Sequence, residues 1–202
     1  MSIHWADGTT AVTAIAGTLA AGGSWLAAKR SNRTAETLAR IEQARWHADL
    51  TPKFDIALIE QGRGHARLIV HLDGPDALRR LDEVTIRVGD DDNDHTLTQI
   101  FVGAPTQEQI DAHIWGPWRF TPGSDGAGQD GRQVAPIPLG VGRGRPFTME
   151  RTRHGHWMTG MTDGHWQQQY AGQPIRLILT CRRGDEEWVV ARRIDNPPLS
   201  EE

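Results

Sequence analysis

Cysteine and lysine are nearly absent from this chain. Cys181 is the single cysteine among 202 residues, so no intrachain disulfide can form, and such usage is typical of a reducing compartment. Lys29 and Lys53 are the only lysines, and arginine supplies the other basic residues. The formal net charge is −4, without the basic excess of a nucleic-acid-binding domain, so we expect no nucleic acid partner.

Charged residues are also absent from residues 8–28, a stretch about long enough to cross a hydrocarbon core as one helix. Trp25 lies near its C-terminal end, where an aromatic side chain can anchor at the interface. Lys29 and Arg30 follow at once, and basic residues favour the cytoplasmic side. Residues 1–30 are therefore predicted to form a short outer N-terminus and one transmembrane helix. The protein would be a single-pass protein of the cell membrane with a cytoplasmic C-terminal domain.

Two other interpretations of this stretch stay open. Much of it is alanine, glycine and threonine, so it could instead be a soluble helix that buries Val12, Ile15, Leu19 and Leu26. A cleaved secretory signal is the other interpretation, although the basic n-region of such signals is missing, because residues 1–7 contain no lysine or arginine.

Residues 31–52 are predicted to form a juxtamembrane helix. Thr34 is a suitable N-cap, and Pro52 ends the helical pattern. The helix would hold the following domain away from the bilayer and could pair with a second copy in a homodimer, with a solvated connector as the alternative. One face is half apolar and carries Leu38, Ile41, Arg45 and Ala48.

A two-residue hydrophobic period begins near Lys53 and predicts β-strands. We therefore expect a mainly β fold over residues 53–195, an antiparallel β-sandwich of about seven or eight strands, with a disordered tail at 196–202. The alternating apolar positions include Phe54, Ile56 and Leu58; Leu68, Val70 and Leu72; Val84, Ile86 and Val88; and Ile175, Leu177, Leu179 and Cys181.

Two short helices and one long connection interrupt the predicted strands. Thr106, with Gln109 three residues later, is the signature of a capping box at a helix start. A second short helix is expected over residues 164–171. Residues 121–144 are rich in glycine and proline, so they are predicted to be a crossing loop or an insertion. A further strand is expected over residues 115–120.

No catalytic motif is convincing in this sequence. Gly126, Gly128 and Gly131 match the glycine spacing of a dinucleotide-binding loop, but prolines follow where that loop requires a helix. No serine lies in a G-x-S-x-G elbow, and Cys181 falls in phase with the apolar positions of its strand, as a buried residue would. We therefore predict no catalytic residues and no cofactor.

Four aspartates lie within residues 90–94. Their spacing begins like a calcium loop, but His95 and Phe101 occupy the positions where an EF-hand needs glycine and glutamate. A phosphatase-type Asp-x-Asp-x-Thr pattern at residues 92–96 fails as well, because no buried strand leads directly into it. We interpret the run as a solvated hairpin turn, with calcium binding at the edge of the sandwich as the alternative.

One histidine cluster has the character of a metal site. Side chains two apart on a strand share a face, so His154 and His156 could bind one ion, with His165 or Asp163 as a third ligand. No general base accompanies them, and we favour a surface loop that packs through its tryptophans.

Trp115 and Trp118 are the candidate interaction residues. With Phe120 they place three aromatics within six residues, which suits a peptide groove in the cytoplasm or a sugar-binding face outside the cell. Trp118 and Phe120 share one face of the expected strand, however, so we favour a core role for that pair.

Four segments resemble a group of uncharacterised actinobacterial proteins, and the similarity extends over most of the chain. Those proteins also begin with an apolar segment before a β-rich domain, so the resemblance implies the same architecture here. It implies no activity and no site residues. The segments are residues 34–52, 72–75 (Leu-Asp-Gly-Pro), 115–117 (Trp-Gly-Pro) and 170–174 (Tyr-Ala-Gly-Gln-Pro).

Together these features predict a membrane-tethered, non-enzymatic interaction module, whose partners are the lipid bilayer and a protein at the inner leaflet. Two alternatives belong to other functional classes. One is a metal-dependent hydrolase that uses His154, His156 and His165, and the other is an extracellular ligand-binding sandwich that uses Trp115 and Trp118.

Overall fold

The computed structural model describes residues 38–96 and 104–196. The predicted membrane segment at residues 8–28 and the expected N-cap Thr34 lie outside these residues, as does the tail after Asn196. Among the described residues, no helix combines the length and the apolar character that a membrane crossing requires. The chain divides into two compact units, Met1–Asp49 and Leu50–Glu202.

The described part of the first unit is one helix, α1, over residues 38–49. It lies within the helix that the sequence predicts before Pro52, and its residues are exposed apart from the half-buried His47. Leu38 and Ile41 are each 56% exposed and Trp46 is 59% exposed.

The strands of the second unit are β1 (Lys53–Gly62), β2 (His65–Gly74), β3 (Arg80–Val88), β4 (Trp118–Phe120), β5 (Ile137–Gly140), β6 (Arg143–Arg151), β7 (Ile175–Arg183) and β8 (Glu186–Ile194). They form two antiparallel four-stranded sheets with the strand orders β1-β2-β6-β4 and β5-β3-β7-β8. Alternate side chains from both sheets meet in one core, where Leu68, Val84 and Leu179 are fully buried. The predicted mainly β fold is thus confirmed.

The two long hairpins follow directly from the two-residue alternation. In the β1–β2 pair Leu58 lies opposite Leu68, and in the β7–β8 pair Cys181 lies opposite Trp188. Cys181 is fully buried, as predicted, and burial raises the pKa of its thiol to about 12. A thiol in that state is inert, because the reactive form is the thiolate.

Both predicted short helices form, as α2 (Gln107–Ala112) and α3 (Asp163–Gln169), and a 3-10 turn spans Asp76–Leu78. The capping box at α2 is confirmed: the Thr106 hydroxyl accepts from the Gln109 N–H at 3.2 Å, and Gln109 Oε1 accepts from the Thr106 N–H at 2.9 Å. At α3 the Thr162 hydroxyl accepts from the His165 N–H at 3.2 Å.

The connection over residues 121–144 crosses from one sheet to the other, but it is more regular than predicted. It contains β5 and leads into β6, and its Val134 is fully buried with its N–H donating to the Ile86 carbonyl at 3.1 Å. Gly131 has φ +69°, and a Cβ there would collide with the Phe120 carbonyl. Gly131, one of the glycines of the dinucleotide-like pattern, is therefore needed for a close approach between two backbone segments.

The strand expected over residues 115–120 is shorter than predicted, because β4 begins only at Trp118. Pro117 has no N–H to contribute to a ladder. The Trp115 N–H is used elsewhere: it donates to Asp90 Oδ1 at 3.0 Å. This contact ties the start of the segment to the loop after β3.

Candidate functional site

The loop after β3, residues 89–96, holds the four aspartates and is here called the acidic loop. Asp92 and Asp94 are exposed, as predicted for a solvated turn, but Asp90 and Asp91 are not. The Asp91 side chain is only 5% exposed, and that of Asp90 is 35% exposed. Both carboxylates are bonded to segments far away in sequence, which no local turn propensity could indicate.

Asp91 is the centre of a hydrogen-bond network. Its Oδ1 lies 2.6 Å from His95 Nε2 and accepts from the Asn93 N–H at 3.1 Å. Its Oδ2 accepts from Asn93 Nδ2 at 2.9 Å and from the Tyr170 hydroxyl at 3.0 Å. These four bonds use the acceptor capacity of a carboxylate.

The environment of Asp91 keeps its side chain ionised. Burial opposes ionisation, but the hydrogen bonds from His95, Asn93 and Tyr170 outweigh it, so the pKa of Asp91 is lowered from its ordinary value. The pKa of Tyr170 is raised, chiefly by burial and then by the charge of Asp91, so its hydroxyl remains a donor. The pair is a fixed link between the acidic loop and the end of α3.

Asp90 joins the acidic loop to the segment before β4. Its Oδ1 accepts from the Trp115 N–H, and its Oδ2 accepts from Arg132 Nη1 at 2.8 Å. Arg132 also donates from Nη2 to the carbonyls of Asp111 and His113, at 3.1 and 2.8 Å. The Asp91 N–H in turn donates to the Trp115 carbonyl at 2.6 Å. One guanidinium, 14% exposed, therefore connects three segments of chain.

A cluster of aromatic rings lies beside this network. His95 stacks on Trp115, with ring centroids 3.7 Å apart and planes at 9°. His113 meets Trp115 edge-on at 4.8 Å, and Trp166 lies 5.8 Å from Trp115. The edge-to-face contact of His113 is a preferred arrangement of aromatic rings, whereas His95 and Trp115 stack face to face. We call the rings of His95, His113, Trp115, Trp157, Trp166 and Tyr170 the aromatic cluster.

His113 lies at the centre of this cluster and contacts three indoles. Burial lowers the pKa of His113 from 6.5 to about 4, so the ring is neutral at physiological pH. Its Nε2 is buried and has no hydrogen-bond partner among the described residues. The ring thus functions mainly as a packing surface.

A concavity of about 270 Å³ opens between the acidic loop and α2. Its described lining contains three carboxylates and no lysine or arginine, and the stacked His95 and Trp115 form one wall. The surface is therefore acidic and aromatic. The described lining residues are Asp90, Asn93, Asp94, His95, Thr96, Gln107, Ile110, Asp111 and Trp115.

The two tryptophans singled out from the sequence have different positions. Trp115 belongs to the aromatic cluster and the concavity. Trp118 is fully buried in the core, as favoured from its alternation. Its indole N–H donates to Asn196 Oδ1 at 2.7 Å, and the Arg151 guanidinium lies 4.4 Å from its ring centroid. The predicted disordered tail therefore begins after Asn196, because Asn196 itself is bonded within the folded domain.

The histidines proposed as metal ligands are brought together only in part. His154 Nε2 lies 3.6 Å from Asp163 Oδ1. His156 is exposed and packs edge-on against Trp157 at 4.9 Å, while His165 is exposed at the start of α3. Across residues 38–96 and 104–196, no group of three His, Cys, Asp or Glu side chains could hold a metal ion.

The residues that build the site were mostly missed from the sequence. His95, His113, Arg132 and Tyr170 carry no motif, and their partners lie up to 79 residues away. The density of aspartates was the one available signal, and it indicated a turn. No protein-family model matches this chain, and a search of curated proteins finds no similar sequence. A proposal for the function of this protein therefore depends on the chemistry of the site.

Proposed function

We propose that this protein is a non-enzymatic binding module, held at the inner face of a membrane by its N-terminal segment. Its β-sandwich would bind a cationic side chain of a partner protein in the concavity beside the acidic loop. The main supporting observation is the charge of the described lining, which contains three carboxylates and no lysine or arginine. Asp90 is already paired with Arg132, so Asp94 and Asp111 are the carboxylates that remain for a cation. Electrostatic complementarity of this kind directs a cation to the site.

Binding rather than proton transfer is favoured by the state of Asp91. A general base near neutral pH needs a pKa close to 7 and a free lone pair. Asp91 has a lowered pKa, and its two oxygens already accept four hydrogen bonds. It therefore orients His95 and secures the loop without exchanging a proton.

The wall of the concavity is formed before any ligand arrives. Trp115 is held by its backbone contacts to the acidic loop and by its indole N–H, which donates to the Ile110 carbonyl at 3.0 Å. A site fixed by packing loses little side-chain freedom on binding, so its contacts contribute more fully to affinity.

The binding proposal is tested by calorimetry with a short lysine peptide and with the same peptide acetylated on its amines. The lysine peptide is expected to bind, and the Asp94→Asn/Asp111→Asn double variant should weaken it about three- to tenfold, because two exposed charge pairs are lost. Asp185→Asn is a matched control, since it removes an exposed carboxylate in the β7–β8 turn, away from the site.

Two results would contradict the proposal. One is equal binding of the acetylated peptide, which carries no charge on its side chains. The other is unchanged affinity in the double variant at low salt, where exposed charge pairs are least screened.

The membrane tether is supported by the uncharged stretch 8–28 and by Lys29 and Arg30 after it. Full-length protein is expected in the membrane fraction after a high-pH wash, and deletion of residues 1–30 should release it. A reporter fused after Glu202 should be active in the cytoplasm. A truncated protein that stays in the membrane fraction, or a reporter outside the cell, would contradict the tether.

A further inference from the structure

A second concavity, here called the arginine groove, lies on the outer face of the β3-β7-β8 sheet. Since Leu177 and Leu179 point into the core, Ile178 between them points outward, where Arg87 and Ala191 pair with it from the neighbouring strands. The groove encloses about 320 Å³. Its lining comprises Arg87, Gly89, Asp90, Asp91, Arg176, Leu177, Ile178, Ala191, Arg192 and Arg193.

Arg176 lines the groove with a side chain only 15% exposed. Its Nη2 donates to Asp92 Oδ2 at 2.6 Å. Its Nε is buried and has no acceptor among the described residues. A guanidinium has five N–H donors in a planar fork, so most of the donor capacity here is unused.

Two further arginines face the same space. Arg193 pairs with Arg176 across the β7–β8 ladder and donates to the same carboxylate, Asp92 Oδ2, at 3.2 Å. The backbone of Arg87 belongs to the β3–β7 ladder, but its side chain makes no hydrogen bond or ion pair with the described residues. Buried donors without acceptors are uncommon in folded proteins, so the buried Arg176 Nε indicates a partner that the described residues do not supply.

Asp92 shows that the pair Arg176 and Arg193 can bind a carboxylate. Its side chain is 64% exposed, and the hydrogen bond from Arg176 is the main cause of its lowered pKa. An exposed carboxylate at the tip of the acidic loop therefore bridges two guanidinium groups. A ligand with similar oxygens could replace it and also reach Arg87.

We propose that the arginine groove binds a small soluble anion, with a carboxylate or phosphate group on Arg87, Arg176 and Arg193 and a short apolar body over Ile178 and Ala191. Asp92 occupies the same donors and competes with this anion. Planar guanidinium forks bind carboxylate and phosphate oxygens in pairs, which gives both strength and orientation.

The size and margin of the groove favour a small soluble anion over a membrane surface. The volume lies near the lower end of the range for small-molecule sites. Asp90, Asp91 and Asp92 line or border the groove, and their charges would repel an extended anionic bilayer. A compact anion can pass these carboxylates and exchange with one of them.

The test measures phenyl phosphate binding by calorimetry on the full chain in an uncharged detergent, with inorganic phosphate as the ligand that lacks an apolar body. Wild-type protein should bind phenyl phosphate more tightly than phosphate. Arg176→Gln should weaken binding about tenfold, and Arg193→Gln about threefold, because charge-assisted bonds are lost. Asp92→Asn should tighten it about threefold, because the internal competitor is removed.

Arg182→Gln is the matched control, since Arg182 is an exposed arginine on the same sheet that pairs with Glu83 outside the groove. It should bind as the wild type does. If circular dichroism shows that Arg176→Gln does not fold, the affinity of Arg193→Gln decides the question, because Arg193 is exposed and its replacement should not affect folding. The proposal is overturned by absent binding at millimolar phenyl phosphate in both wild type and Asp92→Asn, by equal affinities in the arginine variants, or by binding only to phosphatidylglycerol nanodiscs.

Discussion

The core of the β-sandwich and the site at the acidic loop are built by different means. The core is largely aliphatic and forms between two sheets whose strands alternate inward and outward side chains. The site consists of rings, carboxylates and one guanidinium that join segments far apart in sequence, such as Asp91 with Tyr170 and Asp90 with Arg132.

This contrast shows how each region responds to change. Core residues contribute through buried area, which is roughly additive and non-directional. The members of the site contribute through hydrogen bonds with fixed geometry, so removing one leaves its buried partners unsatisfied. Core variants should therefore alter stability alone, whereas site variants should alter both stability and binding.

The largest expected effect is in the core. Phe147 is 1% exposed and meets Phe120 edge-on at 5.9 Å, so Phe147→Ala leaves a cavity between the sheets. We expect a loss of about 3–5 kcal/mol in the free energy of unfolding, measured by urea titration. Folded variant protein should bind the lysine peptide with unchanged affinity. A selective loss of peptide affinity would show that core and site are not separable.

A smaller loss of stability, accompanied by loss of binding, is expected for Asp91→Ala. The variant leaves Tyr170, His95 and Asn93 without their acceptor, which should cost about 2–3 kcal/mol of unfolding free energy. Lysine-peptide affinity should also fall, because the acidic loop loses its link to α3. Asp163→Ala is the control, since that side chain is 49% exposed. Equal effects from both variants would refute the role given to Asp91.

The smallest expected effect is a pH dependence from His113. Its pKa is near 6.5 in the unfolded chain and about 4 in the folded one, so unfolding takes up a proton between these values. Stability should therefore decrease as the pH falls from about 6.5 to 4, by about 1–2 kcal/mol, since the ring is only partly buried. Asp91 does not interfere, because its lowered pKa matters only below its ordinary 3.8.

Urea titrations at pH 7 and pH 4.5 would measure this dependence. His113→Phe keeps an aromatic ring without a titratable nitrogen, so it should show a smaller difference between the two pH values than the wild type. An unchanged difference would assign the pH dependence to other groups.

Elements that depend on neighbouring residues could be predicted from the sequence, whereas those that depend on distant contacts could not. The hairpin β1–β2 and the burial of Cys181 follow from the two-residue alternation, and the start of α2 follows from a box of four residues. The acidic loop differs from the predicted turn at Asp90 and Asp91. Aspartate favours a turn locally, but here these two side chains accept hydrogen bonds from distant donors. The composition of residues 121–144 predicts a loop. Composition cannot show that the Val134 N–H donates to the carbonyl of Ile86 in β3.

The amino-acid sequence by itself determined the mainly β class, the inward faces of β1, β2, β3 and β7 and the capping box at α2, because hydrophobic period and capping act over a few residues. Only the tertiary structure decided that Asp90 and Asp91 turn inward, that His95 stacks on Trp115 and that Arg176 and Arg193 share Asp92. These contacts depend on which strands become neighbours, and the free energy of that choice is spread over the whole core rather than held in any short segment.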